Sequence, residues 1–105
     1  MDVQAVRVQT TTTATHPAPS VTPTQDGDWV VVYWADKSSS NTGFSIPASL
    51  TGRRTMSGSS GGHITATLAD TGLAVPVAPT GTFTAVGSAA GSPAVAYTIA
   101  FAPAS

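Results

Sequence analysis

The chain has 105 residues, five Asp against four Lys and Arg, a net charge of −1 and no Cys. That length supports one core, because two cores would each fall near the size, roughly 60 residues, at which burial becomes marginal. The missing Cys excludes disulfides, thiolate metal sites and a Cys nucleophile, and the charge balance leaves no basic field to release counterions from a nucleic acid.

From the front, Val3 to Thr15 alternates weakly and runs into consecutive threonines, a β-favouring composition that predicts one strand suited to an edge. His16-Pro17-Ala18-Pro19 and Pro23 are expected to stop regular pairing, since Pro donates no hydrogen bond, so residues 16–28 form a connector with room for a short strand at Ser20 to Thr22. Asp26-Gly27-Asp28 predicts a turn. Trp29 to Ala35 is the strongest strand in the chain. Trp29, Val31 and Tyr33 lie on one side and Val30, Val32 and Trp34 on the other, so both sides are apolar, as in a central strand covered on both faces by a second sheet or by another subunit.

Phe44 to Ile46 alternates briefly before Pro47, and Leu50 to Met56 predicts a strand through Arg53 and Arg54, whose plain reading is a solvated strand edge. Gly58-Ser59-Ser60-Gly61-Gly62 reads as the loop of a hairpin leading into His63 to Leu68, with Ile64, Ala66 and Leu68 expected to point inward. Asp70-Thr71-Gly72 turns the chain, and Leu73 to Pro79 is extended but limited by proline. Gly81 to Val86 forms a strand, Gly87 to Pro93 a loop of small residues, and Val95 to Ala102 the last strand. No window of ten residues has a 3.6-residue apolar period, so helix is expected to be absent. The fold expected is all-β, a single antiparallel sandwich over residues 1–105, jelly-roll-like, with 1–15 as an N-terminal strand or arm.

Charged residues make up 9% of the chain, against about 25% in an average soluble domain. A neutral, hydroxyl-rich surface repels neighbours weakly and suits packing in an assembly. The start, Met1-Asp2-Val3-Gln4, has neither a basic nor an apolar signal region, and no apolar run approaches membrane-spanning length, so neither export by a standard signal nor membrane insertion is expected.

Motifs of chemistry are sparse. His16, His63, the aspartates and many serines permit any number of imagined triads, but no Gly-x-Ser-x-Gly elbow occurs. With no Glu, and with Asp at the N-terminus or at predicted turns, paired carboxylates for glycoside hydrolysis are not expected. Asp26-Gly27-Asp28 lacks the further ligands of a calcium loop, two distant histidines make a poor zinc site, and no glycine-rich segment carries the Lys of a phosphate loop. No catalytic, cofactor-binding or metal-binding residues are expected. Trp34 is assigned to the core, whereas Trp29 and Tyr33 are the candidates for contact with a glycan or a protein partner.

The run Asp26-Gly27-Asp28-Trp29-Val30-Val31-Val32-Tyr33-Trp34-Ala35-Asp36-Lys37-Ser38-Ser39 resembles a β-rich module of actinobacterial tailed phages, as do Arg53-Arg54-Thr55, Gly61-Gly62-His63-Ile64-Thr65, Leu68-Ala69-Asp70 and Tyr97-Thr98-Ile99-Ala100-Phe101-Ala102-Pro103. Similar stretches occur in secreted actinobacterial proteins, and the likeness covers roughly Thr15 to Ser105. It implies a jelly-roll-like domain on the virion exterior, of the minor tail or capsid decoration kind, made in the host cytoplasm without a signal peptide and carrying no catalytic residues. Members have additional strands before the segment matching His16-Pro17-Ala18-Pro19. Here only Met1 to Thr15 precedes it, which predicts an incomplete sandwich with an open edge that a neighbour fills. The partners implied are other virion proteins and further copies of the chain. Recognition of a host cell-wall glycan is the alternative, and it requires an exposed Trp or Tyr flanked by polar groups.

Overall fold

The computed structural model describes residues 1–59 and 61–103; Ser60, in the predicted glycine-rich loop, and residues 104 and 105 lie outside the described residues. Eight strands run in chain order: β1 (Val3–Gln9), β2 (Thr13–Ala18), β3 (Trp29–Ser38), β4 (Phe44–Ser45), β5 (Thr51–Ser57), β6 (His63–Asp70), β7 (Phe83–Gly91) and β8 (Ala94–Phe101). They form a five-stranded sheet in the order β1-β8-β3-β6-β5 and a three-stranded sheet in the order β2-β7-β4. Every pairing is antiparallel, and the described residues contain no helix. The two sheets pack as a β-sandwich.

The layers are unequal. β5 pairs with β6 in the larger sheet instead of lying beside β4, and all seven of its residues are exposed. A register shift between Gly52 and Arg54 bends this edge, a common way of blunting a strand that could otherwise pair with another chain. The solvated edge expected for Arg53 and Arg54 is found.

The front of the chain departs from expectation. Residues 1–15 hold two strands rather than one, and they complete the sandwich: β1 pairs with β8 from Val3 to Gln9, and β2 pairs with β7. The incomplete sandwich predicted from the short front segment is therefore not observed. β2 continues through His16-Pro17-Ala18, where a connector was expected. Pro17 is tolerated because β2 is an edge strand, so a missing N–H interrupts no ladder on the outer side. Ser20 to Thr22 is not a strand, although Val21 is buried and held by Thr80, whose hydroxyl accepts the Val21 N–H and whose N–H reaches the Val21 carbonyl. β7 likewise runs on to Gly91, through the segment expected to be a loop.

The core lies between the sheets. Trp34, Val30 and Val32 of β3 are fully buried and pack with Ala69, Ala96 and Ala100 from the same sheet and Ala18, Ala85 and Phe83 from the other. Truncating Trp34 to Ala would cost about 3–5 kcal/mol. Most of what the larger sheet adds to this interior is small: on β8 the inward residues are Ala94, Ala96, Thr98 and Ala100, and on β6 they are Thr65, Thr67 and Ala69. The expectation for β6 is thus reversed, because Ile64 and Leu68 face out at 56% and 40% exposure. The reason is volume. An interlayer gap of ~10 Å already holds Trp34, Phe83 and the buried His16, with Phe44 partly buried beside them, and Ala and Thr fill what remains at native packing density.

Candidate functional site

With the small residues turned inward, the large apolar ones on β1, β8, β3, β6 and β5 collect on the outer face of the five-stranded sheet. The register aligns them in rows. Val6, Tyr97, Tyr33 and Leu68 stand side by side with Arg54 at the end, and two residues along the strands Val8, Val95, Ala35, Ala66 and Met56 form the next row. Beyond Tyr33 come Val31 beside Ile99 and then Trp29 beside Phe101. Tyr33 and Tyr97 touch with ring centroids 6.5 Å apart, tilted at 52°.

Little of this is covered. Val6, Val8, Trp29, Met56, Ile64, Leu68, Tyr97 and Phe101 are exposed by between 36% and 68%. The smaller residues of the second row leave depressions. A groove of about 360 Å³ is lined by Val8, Ala35, Ile64 and Val95 with Lys37 and Pro93 at its end, and another of about 330 Å³ by Tyr33, Ala66, Leu68 and Met56 with Arg54. Charges stand at the margins: Lys37, Arg54 and the pair Arg53 with Asp70, whose carboxylate accepts both guanidinium contacts at 2.8 and 2.9 Å. That pairing holds the Asp70 carboxyl below its usual range.

The two residues singled out from the sequence both belong to this face. Trp29 is 45% exposed and Tyr33 half-buried, whereas Trp34 is sealed in the core. The hydrophobic ribbon β3 is therefore covered on its inner side by the second sheet, as expected, and on its outer side by nothing among the described residues. The rings facing out are bordered mainly by Phe101, Ile99, Tyr97 and Leu68, with Asp70 of the Arg53 pair opposite Val31 and Arg54 in the groove beside Tyr33.

Two polar clusters were not anticipated. Between the sheets, the His16 Nε2 lies 3.0 Å from Asp36 Oδ2, Asn41 Nδ2 donates to Asp36 Oδ1 at 2.9 Å, and His16 Nδ1 lies 2.7 Å from Gln9 Oε1. Asn41 Oδ1 in turn accepts the N–H groups of Gly43 and Ser88. His16, Asp36 and Asn41 are all at most 1% exposed. This His–Asp pair has no use as a catalytic base, because both ring nitrogens are engaged and no substrate reaches them. Its effect is to fasten β2 to β3 across the layers. The approach is close enough to require Gly91, where an added Cβ would lie 2.5 Å from Asp36 Oδ2.

The second cluster joins the front of β1 to the turn before β3. Asp2 accepts the N–H and the hydroxyl of Thr24, and Asp28, fully buried, has no donor for either carboxylate oxygen. The two carboxyls bond only if Asp28 keeps its proton and gives it to Asp2. Sharing that proton pushes Asp28 up to about 6 and holds Asp2 below its usual range. Among the described residues no three His, Asp or Glu side chains converge as a metal would need.

No family model, no curated protein and no solved structure matches the chain.

Proposed function

We propose that the chain is a non-enzymatic structural protein that works by contact, with the outer face of its five-stranded sheet as the surface that another protein covers. The observation behind this reading is the combination of extent and composition on that face. Eight large apolar side chains, each about half exposed and each presenting ~200 Å² when free, leave on the order of 800 Å² open to water. Monomeric proteins rarely expose an apolar patch above a few hundred Å², whereas one side of a standard protein–protein interface is about this size. The enrichment in aromatic residues and the charges confined to the rim match the anatomy of such an interface.

The setting we propose is the one the sequence resemblance implies: the exterior of a tailed-phage particle, as a minor tail or capsid decoration protein, with other virion proteins as neighbours. The nested pairing of β1 with β8, β2 with β7 and β3 with β6 supports the jelly-roll reading, in which β5 is the strand that has crossed to the larger sheet. Glycan recognition is less well supported, because the neighbours of Trp29 and Tyr33 are mainly apolar and the nearby Asp70 is already paired with Arg53.

The reading is tested by purifying particles from cells that make the chain and assaying them by mass spectrometry with oxidative footprinting. The expected result is the chain in stoichiometric amount with Trp29, Tyr33 and Tyr97 protected. Its absence from particles rules out the virion role, and its presence with those rings fully oxidised rules out the outer face as the contact.

A further inference from the structure

We infer that the outer face pairs with the same face of a second copy, giving a two-fold dimer of four β-layers with β3 against β3 at its centre. This rests on the contact reading above and names the partner. The reason is that the face carries both halves of a fit. The row Val6, Tyr97, Tyr33 and Leu68 consists of large side chains throughout, and the row two residues further along has the small Ala35 and Ala66 at its middle, where the two grooves lie. An isologous interface needs each surface to complement itself. A two-fold axis lying in the interface, parallel to the rows and midway between them, sets each copy's Tyr33 and Leu68 over the other's Ala35 and Ala66.

Charge allows the same arrangement. Under that axis β5 faces β5, so the Arg54 of one copy meets the Met56 position of the other, where its aliphatic stem can lie along the thioether while the guanidinium reaches solvent at the edge. Lys37 lies beyond the second row, and Asp70 is already neutralised by Arg53. Among the described residues no unpaired carboxylate on the face is left to attract a basic partner, and none at its centre repels a copy of itself. The open apolar area, on the order of 800 Å² per copy, is about one side of a standard interface.

The test is analytical ultracentrifugation of the full chain at about 1 to 100 µM, with Leu68→Lys in the first row and Leu73→Lys as a control. Leu68 and Leu73 are 40% and 72% exposed, so neither substitution disturbs the core, and circular dichroism verifies that each variant folds. The expected result is a dimer at about 10 µM, weakened at least 100-fold by Leu68→Lys, which leaves an unpaired charge at the desolvated centre, and unchanged by Leu73→Lys. A wild-type chain that stays at 10.5 kDa throughout overturns the pairing, as does a dimer indifferent to Leu68→Lys or one abolished by Leu73→Lys. A monomer that instead floats with phosphatidylcholine vesicles also overturns it and assigns the face to lipid. None of these results depends on particle footprinting, so self-pairing can fail while the contact reading stands.

Discussion

Single residues decide how the two sheets are held and how the protein answers to pH. Asp36 is the acceptor on which His16 and Asn41 both depend, and removing it leaves two buried polar groups without a partner. Asp36→Ala is expected to lower unfolding stability by about 3–5 kcal/mol in urea titrations. Asp28 sets a pH dependence of defined sign. Its folded value lies above the ordinary 3.8, at about 6, so the folded chain binds a proton that the unfolded chain has shed. The stability from the Asp28–Asp2 bond is therefore complete below about pH 4 and lost as pH rises through about 6, while the depressed Asp2 works in the opposite sense only at more acid pH. Asp28→Asn replaces the shared proton by an amide donor that does not titrate. We expect its Tm at pH 7.5 to rise by a few degrees and the fall in Tm between pH 4 and 6 to disappear; a fall of the same size in the variant would show that other groups cause it. Neither cluster was legible in the sequence, because partners 20 residues apart (His16 and Asp36) or 26 apart (Asp2 and Asp28) meet only once the strands are in register, and Asp26-Gly27-Asp28 has the composition of an ordinary turn.

At the scale of elements, the alternation of a strand defines two faces without saying which is the core. Trp29 to Ala35 was legible as a strand because every residue favours one, and Trp34 was legible as core because it sits mid-ribbon on the side of Val30 and Val32. In β6 hydropathy alone turns Ile64 and Leu68 inward, and it fails because the opposing layer supplies the bulk. Thr65, Thr67 and Ala69 share the interior with Trp34, beside them in the same sheet, and with Phe83 and His16 from the other, and a larger residue has no room there. The consequence can be measured. Ile64→Thr, on the outer face, is expected to change the monomer's unfolding free energy by less than about 1 kcal/mol, whereas Ala69→Leu, inserted into the packed interior, is expected to cost about 1–3 kcal/mol or more. The reverse order of effects in urea denaturation would mean that β6 presents its other side to the core. Pro17 misled in a similar way, since a proline forbids a central strand but not the edge position that β2 occupies.

As a whole the molecule is an elongated body measuring 46 × 23 × 21 Å, with the apolar face of the larger sheet on its surface. A two-layer sandwich normally hides its apolar residues between the layers and turns polar ones out. Here the inner volume is taken up by Ala, Thr and a few bulky side chains, and the aromatic and branched residues of β8, β6 and β1 remain outside. The low charge density legible in the composition fits the proposed contact role, because a surface that another protein covers has no need of solvating charge at its centre. The most direct measurement is hydroxyl-radical footprinting of the chain over a range of concentrations and in purified particles, with Leu73 and Val77, both exposed and outside the strands that form the face, as internal references. The account predicts that oxidation of Trp29, Tyr33, Tyr97 and Met56 falls several-fold as the chain assembles while Leu73 and Val77 stay reactive. Equal reactivity of all six residues in the free and assembled states would contradict it.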